Sequence, residues 1–310
     1  MAIPYLKRDR SLHNENLLDL KFVKRSEKLG ICVNDAGAAN QIHALLKGKL
    51  EKKIRVFASG PALDIFKQSY GEDVFCGDIN ELVDWADILI AGTGWMTNVE
   101  KQGLAEAIEQ DKKCIAYFDH WANYSSRLTL NGNLLQPSAI WVSDKEAMSL
   151  AVEHYPNIPV VQVPNFYLKY ETAKIGPLKN NNHSVLYVCE PIFNNGVNSL
   201  ELTLEPIYFA IEQLRSGYFG NISKFIIRPH PSQKPEIFFP LLTEEANFQI
   251  EISDTKSLAE DISAASKVIG LNSFALLIAA AANREIFCSA PPSWRQSKLK
   301  LQNFRYLRDL

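Results

Sequence analysis

The chain has 310 residues, with 33 lysines and arginines against 35 aspartates and glutamates, a formal net charge of −2, and 46% hydrophobic residues. At about 150 residues per domain, this length predicts two domains, each able to bury its own core, and it excludes a mostly disordered chain. The balanced charge gives no broad basic face for phosphate backbones, so no nucleic acid is expected as a partner, and apolar runs such as Phe274 to Ala282 fall well short of the roughly 18–20 residues of a membrane span.

A polar, charged lead-in runs to about Lys28 and lacks the apolar core and small-residue cleavage site of a secretory signal, so a cytoplasmic location is expected. Beyond it, short β-rich runs alternate with helical stretches. Strands are predicted at 29–33, 54–58, 87–91, 113–118 and 139–143, with helices at 39–50, 62–70, 99–110 and 145–154. Pro156, Pro159, Pro164 and Pro177, with the polar run 179–182, make 164–183 the expected linker, hinged near residue 175. The alternation then restarts. Strands are predicted at 184–189, 224–228, 248–252, 267–270 and 285–289, and helices at 199–216, 235–246, 257–265 and 273–282. The expected fold class is α/β, two Rossmann-like domains facing a cleft: an N-terminal domain over 1–170 with 1–28 as lead-in, a C-terminal domain over 171–290, and a tail or closing helix over 291–310. The five cysteines are scattered and form no C-x-x-C pair, as buried thiols in a reducing compartment would.

Ligands of such folds sit outside the carboxyl ends of the strands, so the strand-end loops are the places for chemistry. The loop Asn34-Asp35-Ala36-Gly37 offers small residues and one carboxylate; Asp35 is either a general base or the cap of the next helix. Neither a G-x-G-x-x-G fingerprint nor a P-loop is present. Gly92-Thr93-Gly94-Trp95 could bring backbone amides and a stacking ring to a ligand, or be a plain turn around a half-buried tryptophan. The run from Asp119 and His120 to Arg127 reads as the wall of a polar pocket, with Arg127 suited to a carboxylate. Glu190 is a further strand-end carboxylate. Arg228-Pro229-His230-Pro231-Ser232 holds a histidine between two prolines directly after a strand, presenting the imidazole on a stiff loop where it could protonate or hydrogen-bond a phosphate. Glu251 and Asp254, at the next strand end, suit ribose hydroxyls. Asn272 and Ser273 precede an apolar helix, where backbone amides and a hydroxyl suit a phosphate and where Ser273 is equally an ordinary cap. The strand ends are expected to be locally cationic around Arg127, Arg228 and His230.

These residues carry a resemblance. Arg-Pro-His-Pro-Ser at 228–232, the carboxylate-bearing strand end at 251–254, and 265–274 leading into an alanine-rich helix resemble the nucleotide-binding domain of GT-B glycosyltransferases, and more narrowly bacterial sialyltransferase-like enzymes. The resemblance implies a transferase moving a nonulosonic acid (sialic-, legionaminic- or pseudaminic-type, or Kdo) from a CMP-activated donor to a glycan hydroxyl. It implies Asp35 as base and His230 and Ser273 on the CMP phosphate. Arg228, Pro231, Ser232, Glu251, Asp254 and Asn272 would complete the nucleotide site, and Gly37, Gly94, Trp95, His120, Arg127 and Glu190 would line the substrate. No metal or cofactor is implied. The chain departs from that family's acidic-acidic-glycine motif in having one carboxylate and an extra residue before Gly37.

Other readings fit the same residues. A His-Pro at a strand end and a serine at a helix start serve any pyrophosphate, so a transferase using a UDP-sugar or CDP-glycerol, a sugar-nucleotide 2-epimerase needing no acceptor, and a non-catalytic sugar-nucleotide binder all remain open. The basic and apolar run 298–308, with Lys7, Arg8 and Arg10, is either weak peripheral contact with an anionic membrane or the solvated side of a packed closing helix.

Overall fold

The computed structural model describes residues 28–47, 53–94, 97–178, 183–194, 197–255 and 257–310. The chain divides between Tyr167 and Leu168 into two compact units. The lead-in with Lys7, Arg8 and Arg10, the run 179–182, and Trp95 lie outside the described residues.

The first unit is built from β1 (Leu29–Val33), α1 (Ala36–Leu46), β2 (Ile54–Ala58), α2 (Pro61–Lys67), α3 (Ile79–Trp85), β3 (Ile88–Ala91), α4 (Val99–Glu109), β4 (Lys113–Phe118), the single turn α5 (Tyr124–Arg127), a small hairpin of β5 (Thr129–Leu130) and β6 (Asn133–Leu134), β7 (Ala139–Val142), α6 (Lys145–His154) and β8 (Val160–Gln162). Its six-stranded sheet has the order β2-β1-β3-β4-β7-β8, and every pairing in it is parallel. Strands β1, β3 and β7 are buried at every position, as a parallel sheet covered on both faces requires. Trp141, Tyr117 and Phe66 are among the largest fully buried side chains of this core, each contributing about 1.5–3 kcal/mol by leaving water.

The helix α7 (Phe166–Ala173) runs across the division. The expected linker therefore carries a helix after its first proline. Phe166 packs against the first unit's core, which is why a segment punctuated by prolines is ordered there.

The second unit continues with β9 (Ser184–Val188), a hairpin of β10 (Phe193–Asn194) and β11 (Val197–Asn198), α8 (Leu200–Arg215), β12 (Lys224–Arg228), β13 (Gln249–Ile252), α9 (Leu258–Ser263), β14 (Lys267–Gly270), α10 (Phe274–Ala281), β15 (Glu285–Cys288) and β16 (Phe304–Tyr306). Its parallel sheet has the order β13-β12-β9-β14-β15-β16. The helix expected over 235–246 is a 3-10 stretch at Pro235–Thr243, because Pro240 inside it has no amide for an α-helical bond. The closing helix expected over 298–308 is replaced by the edge strand β16 and a last 3-10 turn, Leu307–Asp309. Alternation decides this. Phe304 and Tyr306 pack with Leu271, Cys288 and Ala290, while Arg305 lies over the Phe287 ring at 4.4 Å, and Leu307 is fully buried in the unit's core.

Strand order reverses between β1 and β3 in the first sheet and between β9 and β14 in the second. In doubly wound sheets the crevice outside such a reversal is the natural ligand site, because neighbouring loops leave there to opposite faces.

Candidate functional site

In the first unit, the loops after β1 and β3 are tied together by a carboxylate that belongs to neither. Glu100, in the first turn of α4, is fully buried; its Oε1 accepts the amide protons of Asn34 (3.0 Å) and Asp35 (3.3 Å), and its Oε2 accepts that of Gly94 (2.6 Å). The carboxylate takes up the room that side chains would need. A Cβ on Gly92 would stand 2.3 Å from Glu100 Oε1, and one on Gly94 2.7 Å from Oε2 and 2.9 Å from the Asp35 Cβ. Burial raises the Glu100 carboxyl to about 6, with the three amides opposing the shift. Sequence reading missed this residue, since an acidic side chain in a helix's first turn reads as ordinary helix-start chemistry.

Asp35 caps α1, its Oδ1 accepting the Gly37 amide proton at 2.7 Å. A Cβ on Gly37 would meet Asp119 Oδ2 at 2.2 Å and Asp35 Oδ1 at 3.0 Å, so two carboxylates close on one glycine. Burial, and then the charge of Asp119, push the Asp35 carboxyl above its usual range, against the Gly37 amide and Arg127. Asp119 Oδ1 pairs with the buried guanidinium of Arg127 at 2.8 Å; Arg127 also donates to Thr93 Oγ1 (2.8 Å) and the Ala122 carbonyl (2.9 Å). Gln41 donates to the Asp119 carbonyl and receives the Tyr117 hydroxyl proton, fixing the strand end from below. A carboxyl biased toward its neutral form, beside a carboxylate held by a guanidinium, can give and take protons. Arg127 is thus engaged by internal partners. His120 is half-buried, its Nδ1 accepting the Ala122 amide proton at 3.1 Å and its ring edge-on to Trp121.

In the second unit, Glu190, just beyond β9, accepts the Asn272 amide proton (3.1 and 3.2 Å to its two oxygens) and its side-chain amide (3.3 Å). This pair occupies the reversal between β9 and β14. Burial raises the Glu190 carboxyl, opposed by those bonds from Asn272. Ser273 caps α10, accepting the Ala275 amide proton at 3.3 Å. On the neighbouring β12 loop, His230 Nδ1 accepts the Ser232 amide proton at 3.2 Å and lies 2.8 Å from the Ser232 hydroxyl. Because Nδ1 is an acceptor, the neutral ring carries its proton on Nε2, and burial lowers its pKa and favours that neutral form. Gln233 braces the loop, its Oε1 accepting the His230 amide proton at 3.0 Å.

The other residues expected at the nucleotide are either paired within the unit or exposed. Arg228 pairs with the buried Asp261 at 2.5 Å and reaches Thr255, while Ser253 also donates to Asp261. Glu251 turns back along the sheet to Lys224 at 3.0 Å, and Asp254 and Pro231 are exposed. The expected local excess of cations is corrected by these pairings: Arg127 and Arg228 are each matched by an aspartate, and the loops at both strand reversals carry carboxylates instead.

No family model and no curated protein matches the chain. Solved structures do. It is similar to the S. aureus MnaA–UDP co-structure (13% identity, 84% of this chain and 79% of that one, TM-score 0.61). It is also similar to the UDP-GlcNAc 2-epimerases of Neisseria meningitidis bound to UDP-GlcNAc (12%, 84% and 82%, 0.56) and of Methanocaldococcus jannaschii (11%, 84% and 83%, 0.54). The likeness shows the fold: two Rossmann-like α/β domains of the GT-B-like kind. It also corrects the narrower expectations. The similar structures from Neisseria meningitidis and Methanocaldococcus jannaschii are UDP-GlcNAc 2-epimerases, not sialyltransferase-like enzymes, so transfer of a CMP-activated nonulosonic acid or Kdo, with a CMP-sugar donor and a glycan acceptor as partners, is set aside. The physical reason is that the features behind the expectation, a His-Pro at a strand end and a serine at a helix start, suit any phosphate, which CMP and UDP share, and say nothing of the base.

Proposed function

We propose that the chain binds a UDP-sugar and acts on it as a sugar-nucleotide 2-epimerase, inverting the carbon next to the anomeric centre without an acceptor. The observation that carries this reading is the pairing of one fold, at a TM-score of 0.61 over 84% of the chain, with phosphate-directed groups at the second unit's strand ends, where the fold's ligands lie. The Nε2 proton of His230, the Ser273 hydroxyl and the amides that open α10 are the donors offered to the diphosphate. Inversion at C2 breaks the C2–H bond, whose electron pair forms a C1=C2 double bond as the C1–O bond to UDP breaks; addition of a proton to the other face of C2 and return of the UDP oxygen to C1 restore the sugar nucleotide, so the reaction needs one group that takes a proton and one that gives it. Asp35 and Asp119 are those groups: Asp35 is biased toward the neutral form, and Asp119 is kept beside it by Arg127.

Calorimetric titration with UDP-GlcNAc tests the assignment. His230→Ala should weaken binding by about 10-fold or more, the usual worth of a hydrogen bond to a charged group. Unchanged affinity in that variant, or binding of CMP more tightly than UDP, would refute it.

A further inference from the structure

The reversal between β9 and β14 is where an incoming diphosphate is expected, yet the chain has put a carboxylate there. Glu190 holds the amide proton of Asn272, the residue directly before the α10 cap, and among the described residues its hydrogen bonds are those to Asn272 alone and it has no cationic partner. Tyr187 of β9, Cys189 just beyond it and Cys288 at the end of β15 interact with its charge, and the segment carrying Lys298 packs on the far side of Asn272, the Lys298 amide donating to Asn272 Oδ1 at 2.8 Å; among the described residues Glu190 makes no ion pair. An anionic phosphate would therefore meet an uncompensated negative charge. Protonated, the same carboxyl keeps its carbonyl oxygen on the Asn272 amide and gains an O–H that can donate to a phosphate oxygen.

Resting on the UDP-sugar reading above, we propose that Glu190 takes up one proton from solvent when the diphosphate binds beside Asn272 and Ser273, making nucleotide binding proton-coupled at this residue. No bond of the ligand breaks in this step. Burial of the carboxyl already favours the protonated form, which lowers the cost of the uptake. The linkage has a fixed sign: a proton gained on binding means that affinity falls as pH rises through the free protein's Glu190 pKa.

The probe is UDP-GlcNAc, whose diphosphate does not titrate between about pH 5 and 8, followed by calorimetry in buffers of different ionisation heat. The wild-type chain should take up close to one proton per ligand at the upper end of that range, with affinity falling about tenfold per pH unit there. Glu190→Gln should bind without uptake, with a flat pH profile and about tenfold tighter than wild type at pH 8, the opposite of what loss of a merely structural carboxylate would do. Binding by the wild type with no proton uptake overturns the proposal and leaves the UDP-sugar reading standing. Uptake that persists in Glu190→Gln also overturns it, assigning the proton to another group such as His230. Absence of UDP-GlcNAc binding across the whole range overturns the nucleotide reading itself.

Discussion

Glu100 holds three amide protons from two loops in a fully buried position, and its carboxyl titrates near 6 rather than at its ordinary 4.5. A raised folded-state pKa means that the native state binds the proton more readily than the unfolded chain. The contribution of this group therefore grows as pH falls from 6 to 4.5 and is lost as pH rises through 6, by about 2 kcal/mol in all. The difference in unfolding free energy between wild type and Glu100→Gln, followed by urea denaturation, should change by about that amount between pH 4.5 and 6 and stay level above. A level difference across the whole range would show that burial does not raise the Glu100 carboxyl. The paired glycines give a second test at the same scale. Gly94→Ala forces a Cβ into Glu100 and Asp35 and should cost about 1–3 kcal/mol. Gly176, with open space around its Cα, should accept alanine with a gain of about 0.4–1 kcal/mol.

At the scale of elements, the alternation of strands and helices was legible because buried parallel strands such as Ile88–Ala91 are continuous apolar runs. What the pattern hid were elements whose identity depends on distant partners. The last residues read as a basic amphipathic helix, yet they form β16 because Phe304 and Tyr306 find a cluster around Leu271 and Cys288. Leu307→Ala should then cost about 2–5 kcal/mol, as in any closed core, whereas a leucine on a detached tail would cost almost nothing. Arg228 was legible as a strand-end cation, but its aspartate partner, 33 residues away on α9, was not. Removing Arg228 alone should destabilise the fold by about 3–5 kcal/mol through the stranded Asp261 charge, and replacing both by apolar residues of similar volume should recover most of it. Equal losses in the single and double variants would show that the pair is not the reason.

For the whole molecule, a net charge of −2 described the chain and misdescribed its sites. The reversal of strand order in the first sheet brings Asp35, Glu100 and Asp119 together, and that in the second places Glu190 against Asn272. The strand-end loops that carry Asp35, His230 and Ser273 were legible in the sequence. The pairing of carboxylates was not, since residues 35, 100 and 119 meet only through the order β1-β3-β4, and a histidine with a helix start suits a phosphate without selecting a base. In the proposed reaction, this fold handles protons at the sugar carbon beside the anomeric centre. Incubation of the protein with UDP-GlcNAc alone in deuterium oxide, followed by proton NMR, tests it most directly. The expected product is the C2 epimer, with deuterium at C2 and with turnover reduced at least tenfold in Asp119→Asn. UDP-GlcNAc that binds but keeps both its configuration and its C2 proton would contradict it.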